Sequence, residues 1–126
     1  MPRFTSTKNQ MDYNIQVWEI VKRIPAGMVC TYGRIAAMIP PPNAMDPKAY
    51  KAFGARWVGG AMAQCPEDVP WWRVINAQGK ISARPNAPHQ RELLESEGVI
   101  FNEKEKIDLK IFLWEEGKPP QPTLFK

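Results

Sequence analysis

Two adjacent tryptophans, Trp71 and Trp72, stand between Pro70 and Arg73 and are the most unusual chemical feature of this 126-residue chain. An indole is a large flat surface with one N–H donor, and it carries no group that could serve as a nucleophile. Arg73 adds a planar, permanently charged guanidinium that pairs with carboxylate or phosphate and stacks on rings. Pro70 fixes the entry angle, Val74-Ile75 continues the run, and Asn76-Ala77-Gln78-Gly79 reads as a β-turn. The chemistry open to such a cluster is packing in a core or stacking on a flat ligand.

Carriers of covalent chemistry are few. Cys30 and Cys65 stand far apart without a CxxC spacing, and His89 is the single histidine. That inventory cannot supply the usual zinc ligand sets, so neither a metal nor a cofactor is expected. Both cysteines read as small buried hydrophobes. The length suits one domain that buries a core without staples. No run approaches the roughly 18 apolar residues of a membrane span, and the N-terminus lacks an apolar signal core. An intracellular protein without a membrane partner is expected.

Charge is uneven along the chain. Residues 48–91 hold seven basic side chains against two acids, a net +5, within a chain whose overall charge is +4. Residues 92–126 hold eight acids against five lysines, a net −3. A basic middle beside an acidic end suits a surface that faces a polyanion, and equally a mixed solvated surface.

The elements that must position these residues follow from periodicity. Residues 1–11 show none and are expected to form a flexible arm. Asp12 can cap a helix in which Tyr13, Val17, Ile20, Val21 and Ile24 recur at helical spacing, with Pro25-Ala26-Gly27 as the stop. Thr31 is a candidate N-cap for a second helix over 32–39, ended by Pro40-Pro41-Pro42. Asp46-Pro47 opens a short helix to Phe53, which Gly54 is expected to break before a further helix over 55–64. Around Asn76–Gly79, residues 73–75 and 80–82 are expected to pair as a hairpin. Beyond the Arg84 loop comes a helix over 88–97 closed by Gly98. A second hairpin is expected between 99–101 and 107–109. The sum is a mainly α fold with a small β component, a winged helix-turn-helix. The domain spans 12–114, and 115–126 forms a Pro-rich tail.

The helix over 55–64 is informative. Val58, Ala61, Met62 and Cys65 form its core stripe, while Ala55, Gly59, Gly60 and Ala63 lie off it with Arg56 beside them. Two consecutive glycines in a helix cost about 1 kcal/mol each relative to alanine, so close approach of another surface should compensate. That surface is either another helix or a nucleic-acid groove. A helix reading bases in the major groove offers Arg, Asn or Gln along its contact face, and this one offers backbone and a single Arg.

Collinear over roughly residues 12–114, several segments resemble the C-terminal domain of the O6-alkylguanine-DNA alkyltransferases. They are Ile24-Pro25-Ala26-Gly27, Thr31-Tyr32-Gly33, Arg56-Trp57-Val58-Gly59-Gly60-Ala61-Met62, Pro70-Trp71-Trp72-Arg73-Val74-Ile75 and Glu97-Gly98-Val99. In those enzymes the core motif is Pro-Cys-His-Arg-Val, whose Cys accepts the alkyl group with help from the His. Here Trp71 and Trp72 occupy both positions, so alkyl transfer by that route is excluded. The replacement is the mark of the alkyltransferase-like proteins, which this chain resembles. The resemblance implies a protein that binds O6-alkylguanine in duplex DNA without repairing it and hands the lesion to nucleotide excision repair proteins.

It also implies roles. Arg56 would enter the base stack in place of the extruded guanine, and Tyr32 would crowd the adjacent phosphate. The Gly59-Gly60 helix would lie in the minor groove, as small-residue wedging surfaces do on a bent duplex. Trp71, Arg84 and Tyr32 would form the lesion pocket. Thr31, Gly33, Arg34 and Ala55 would complete the DNA contacts with Arg73, which could equally bridge the hairpin to the helix, while Trp72 and Glu97 would be structural. A cytoplasmic or nucleoid location, nuclear in a eukaryote, and a monomeric state accompany this reading. Two alternatives stand beside it. One is a sequence-specific winged-helix transcription regulator, disfavoured by the near-blank helix face. The other is a residual alkyltransferase using Cys65 or Cys30.

Overall fold

The computed structural model describes residues 7–41 and 46–115. Helix α1 spans Thr7–Lys22 and buries the expected stripe, with Tyr13, Val17 and Val21 almost wholly inaccessible, and Ile24 just past its end is buried as well. It starts earlier than expected, so Asp12 lies inside the helix and residues 7–11 are helical rather than part of an arm. Residues 1–6 and the Pro-rich tail from 116 onward lie outside the described residues.

A two-residue strand, β1 (Cys30–Thr31), leads into α2 (Tyr32–Ala37). The Thr31 hydroxyl caps α2 by accepting from the Arg34 N–H at 3.2 Å. Helix α3 (Pro47–Met62) is capped by the Asp46 carboxylate, which accepts from the Ala49 N–H at 3.3 Å. Helices α2 and α3 form the helix-turn-helix pair. The break expected at Gly54 does not occur, and α3 is one continuous helix. At that point a Cβ would stand 2.8 Å from the Ala36 Cβ, so the glycine lets α2 and α3 cross closely. Tyr50 locks the crossing: its hydroxyl donates to the Ala36 carbonyl at 2.7 Å and meets the Tyr13 hydroxyl of α1 at 2.8 Å.

Strand β2 (Val74–Ile75) pairs with β1 in parallel, Cys30 opposite Val74 and Thr31 opposite Ile75. The hairpin expected between 73–75 and 80–82 is therefore not formed as a ladder. Its turn does close, with the Gly79 N–H on the Asn76 carbonyl at 3.0 Å and the Asn76 N–H on the Lys80 carbonyl at 3.1 Å. The reason lies in burial on both faces. Val74 and Ile75 are both inaccessible, as residues of a parallel pair between two cores must be, whereas Lys80 faces solvent. The second expected hairpin reduces to one antiparallel bridge, Phe101 with Ile107. Its ladder ends because Asp108 caps α5 (Leu109–Phe112), accepting from the Lys110 N–H at 2.9 Å. No described helix is long and apolar enough to cross a membrane.

Two apolar clusters flank the strand pair. Cys30 and Val74 belong to the one built on α1–α3, and Val29 and Ile75 to the other, with Leu94, Val99 and Ile107. Helix α4 (Ala87–Ser96) carries Leu94 into that second cluster and ends at Glu97 and Gly98, the latter at φ +98°.

Glu97 ties the halves together. Its carboxylate accepts from Arg73 Nη2 at 2.7 Å, Arg73 Nε at 3.1 Å, Trp72 Nε1 at 2.8 Å and the Gly27 N–H at 3.1 Å. Arg73 Nη1 reaches on to the Ile24 carbonyl at 2.8 Å, so one ion pair joins the end of α4, the Trp segment and the turn after α1. Burial would raise the Glu97 pKa, but Arg73, the Gly27 N–H and the Trp72 N–H outweigh it and hold the carboxyl below its ordinary value.

Two measurements test these packing arguments. In urea unfolding, Gly54→Ala should cost about 1–3 kcal/mol through overpacking against Ala36. Gly59→Ala and Gly60→Ala, where a Cβ meets nothing within 4 Å, should each add about 0.5–1 kcal/mol. Equal effects at all three sites would refute the crossing argument. Glu97→Gln should destabilise by about 2–4 kcal/mol, since it leaves Arg73 buried beside a neutral partner. Because the folded pKa is depressed, the stabilisation from ionised Glu97 is complete above the unfolded carboxylate value of about 4.3 and disappears as pH falls through the folded value. Stability below pH 4.3 should accordingly depend less on pH in Glu97→Gln than in the parent chain.

Candidate functional site

The segment Trp71–Arg73 is one 3-10 turn, and three anchors set its orientation. Trp72 and Arg73 are drawn inward by Glu97. From α4, the buried Gln90 amide donates to the Trp72 and Val74 carbonyls, both at 3.0 Å. The Trp71 ring is left half-buried at the surface, edge-on to Trp72 at 5.9 Å and 6.2 Å from the His89 ring.

Trp71 forms one wall of a cleft of about 250 Å³. Tyr32 of α2, Met62, Ala63 and Cys65 at the end of α3, and Arg84, Asn86 and Gln90 line the rest. Arg84 is exposed and donates from Nη2 to the Tyr32 hydroxyl at 3.0 Å. Its guanidinium carbon lies 5.8 Å from the Tyr32 ring centroid. Residues far apart in sequence, Tyr32, Trp71 and Arg84, thus surround one cavity.

The lining offers a flat aromatic wall, a cation, a phenol hydrogen-bonded to that cation, two amides and a thiol, but no carboxylate and no imidazole. Such a set suits a planar group with hydrogen-bonding edges rather than proton transfer. Burial pushes the Cys65 thiol above its ordinary pKa, and Asp68 adds to the rise against an opposing backbone hydrogen bond. Cys30, fully buried beneath, is pushed up to about 11, again by burial. A reactive thiolate is disfavoured at both positions near neutral pH. Among the described residues, no three His, Cys, Asp or Glu side chains gather to hold a metal ion.

Beside the cleft runs the outer face of α3. Ala55, Arg56, Gly60 and Ala63 are exposed and Gly59 is half-buried. The opposite face is locked into the core through Val58, Ala61 and Met62, and the Trp18 indole donates to the Ala61 carbonyl at 2.9 Å. Among the described residues no helix packs on Gly59 or Gly60, so helix–helix contact does not account for them; that use belongs to Gly54. Arg56 projects from this face with its guanidinium carbon 5.8 Å from the Phe53 ring.

Other residues expected at the interface divide. Gly33 and Arg34 are exposed on α2, and Arg34 pairs with Glu115 at 2.6 Å. Thr31 is buried and engaged in capping α2. Arg73 is a correction. Instead of presenting its charge to a phosphate, its side chain is only 15% exposed and is held by Glu97. Sequence reasoning also missed Gln90 and Asn86 in the cleft. A buried glutamine on an otherwise amphipathic helix was the available signal for the first, and nothing local marked the second.

Comparison with known proteins places this geometry. Residues 12–99 match the family model of the 6-O-methylguanine DNA methyltransferase DNA-binding domain. The chain is 35% identical over 117 residues to the DNA base-flipping protein of Escherichia coli, covering 90% of this chain and 83% of that one. It is 36% identical over 112 residues to alkyltransferase-like protein 1 of Schizosaccharomyces pombe, covering 82% and 94%. The crystal structure of S. pombe Atl1 in complex with damaged DNA containing O6-carboxymethylguanine superposes with a TM-score of 0.65 at 32% identity, over 83% of this chain and 96% of that one. With the matching domain model, near full-length relatives and a shared helix-turn-helix fold, the chain belongs to the alkyltransferase-like branch of the 6-O-methylguanine DNA methyltransferase DNA-binding-domain family.

Proposed function

We propose that this protein is a non-catalytic sensor of O6-alkylguanine in duplex DNA. The observation that carries the reading is the Trp71 cleft opening beside the bare outer face of α3. Trp71, which the motif resemblance aligns with the transferases' acceptor, presents an aromatic wall to the cleft, and burial raises the pKa of the cleft thiol, Cys65. The pocket binds an alkylated base and has no group to take the alkyl from it.

Docking follows from the shape of α3. Ala55, Gly59 and Gly60 let its backbone lie close in the minor groove, and Arg56 enters the stack in place of the displaced guanine. Tyr32 crowds the neighbouring phosphate, and Gly33 and Arg34 on α2 follow the same strand. The everted guanine stacks on Trp71, with Arg84 over its other face, where a guanidinium contributes both charge and stacking. Unstacking costs a few kcal/mol, and less for a mispaired or damaged base, which favours the lesion before any pocket contact is made. The complex so formed marks the site for nucleotide excision repair. The names of the relatives, a base-flipping protein and a structure bound to damaged DNA, support this reading.

A fluorescence titration with O6-methylguanine duplex against undamaged duplex of the same sequence tests it. The lesion should be preferred across different flanking sequences, and equal affinity for both duplexes would refute the sensor. Arg56→Ala and Trp71→Ala should each weaken lesion binding by about tenfold or more, on the scale of roughly 1–3 kcal/mol per stacked base. Arg56→Ala should leave the unfolding midpoint nearly unchanged, whereas Trp71→Ala also removes a ring packed against the core and should lower it. Mass spectrometry after incubation with methylated DNA should find no added methyl group on Cys65 or Cys30; an adduct there would establish a transferase instead.

A further inference from the structure

Arg34 of α2 is not an open cation. Its Nη2 lies 2.6 Å from Glu115 Oε2, across 81 residues of sequence. The chain leading to Glu115 is fixed in place. Leu113 bridges Val29 in parallel, the Trp114 N–H donates to the Val29 carbonyl at 2.8 Å, and the Trp114 ring is buried. Glu115 therefore emerges alongside the strand that leads into α2, and its carboxylate is delivered to the exposed side of that helix, two residues beyond Tyr32.

We propose that Glu115 is an intramolecular stand-in for a DNA phosphate on Arg34. Docking of α2 then exchanges carboxylate for phosphate, and Glu115 sets the absolute affinity for duplex and its salt dependence. This inference rests on the duplex-docking reading above. The exchange is accessible because both partners remain partly exposed, 48% and 36%, so the pair is weak and its opening strands no charge in the interior. A phosphate contact made by an unmasked arginine releases about 0.9 condensed cation. A contact made by exchange displaces a carboxylate, whose charge offsets part of that release, and net release falls. The cost is the same for damaged and undamaged DNA, since both present the same phosphates to α2.

A double-mutant cycle on the full chain tests the exchange, using Glu115→Gln, Arg34→Ala and both together. Each variant is titrated with undamaged and O6-methylguanine duplexes over a range of salt. Glu115→Gln should tighten binding to both duplexes by about two- to fivefold, the worth of an exposed ion pair, with the preference between them unchanged. Its slope of log affinity against log salt should steepen by up to about one. In the Arg34→Ala background neither change should appear. A gain of the same size in that background would overturn the exchange in favour of long-range charge removal, and no gain in either would overturn masking altogether. Loss of duplex binding by the parent chain itself would instead remove the docking reading, and this inference with it.

Discussion

The Glu97 carboxylate is the constraint on which the rest of this structure depends. It accepts five hydrogen bonds, three from the Arg73 guanidinium, one from the Trp72 indole and one from the Gly27 backbone. A partly buried carboxylate is costly unless its lone pairs are filled, and these partners fill them. The consequence reaches the surface. With Trp72 and Arg73 turned toward Glu97, the next ring along the turn, Trp71, can only face the other way, into the cleft. Gln90 holds the same turn from α4, and Trp71 itself packs against the core and edge-on to Trp72, so the cavity wall is fixed from both sides.

Glycine is used in two opposite ways within α3. Gly54 is small so that another helix of the same chain can come close, and a methyl there would meet Ala36. Among the described residues a Cβ at Gly59 or Gly60 would meet nothing, so their helix-propensity cost of about 1 kcal/mol each finds no return in packing there. That unreturned cost fits a face shaped for a partner. It lies one helical face away from Val58, Ala61 and Met62, whose burial holds α3 firm enough to present it.

Charge is handled in the same manner. The sequence counts a basic middle, yet two of the arginines once assigned to DNA are engaged inside the protein, Arg73 with Glu97 and Arg34 with Glu115. The first pair is largely buried and holds the fold. The second is exposed and exchangeable. Of the expected set, Arg56 and Arg84 stand at the face and the cleft without a carboxylate partner among the described residues.

The sequence by itself determined the elements that depend on near neighbours. Thr31 and Asp46 cap the helices they precede, the Tyr13–Ile24 stripe is buried, and α4 closes at Gly98, because caps, stripes and positive-φ turns are local physics. The motif around Trp71 also pointed to the family. Tertiary structure alone decided the rest. Val74-Ile75 pairs with Cys30-Thr31 and not with its own hairpin partner, because burial on both faces outweighs proximity in the chain. Gly54 continues a helix that local propensity would break, because α2 lies against it. Arg73 turns inward and Glu115 reaches Arg34 because their partners lie 24 and 81 residues away, a separation that no local pattern encodes.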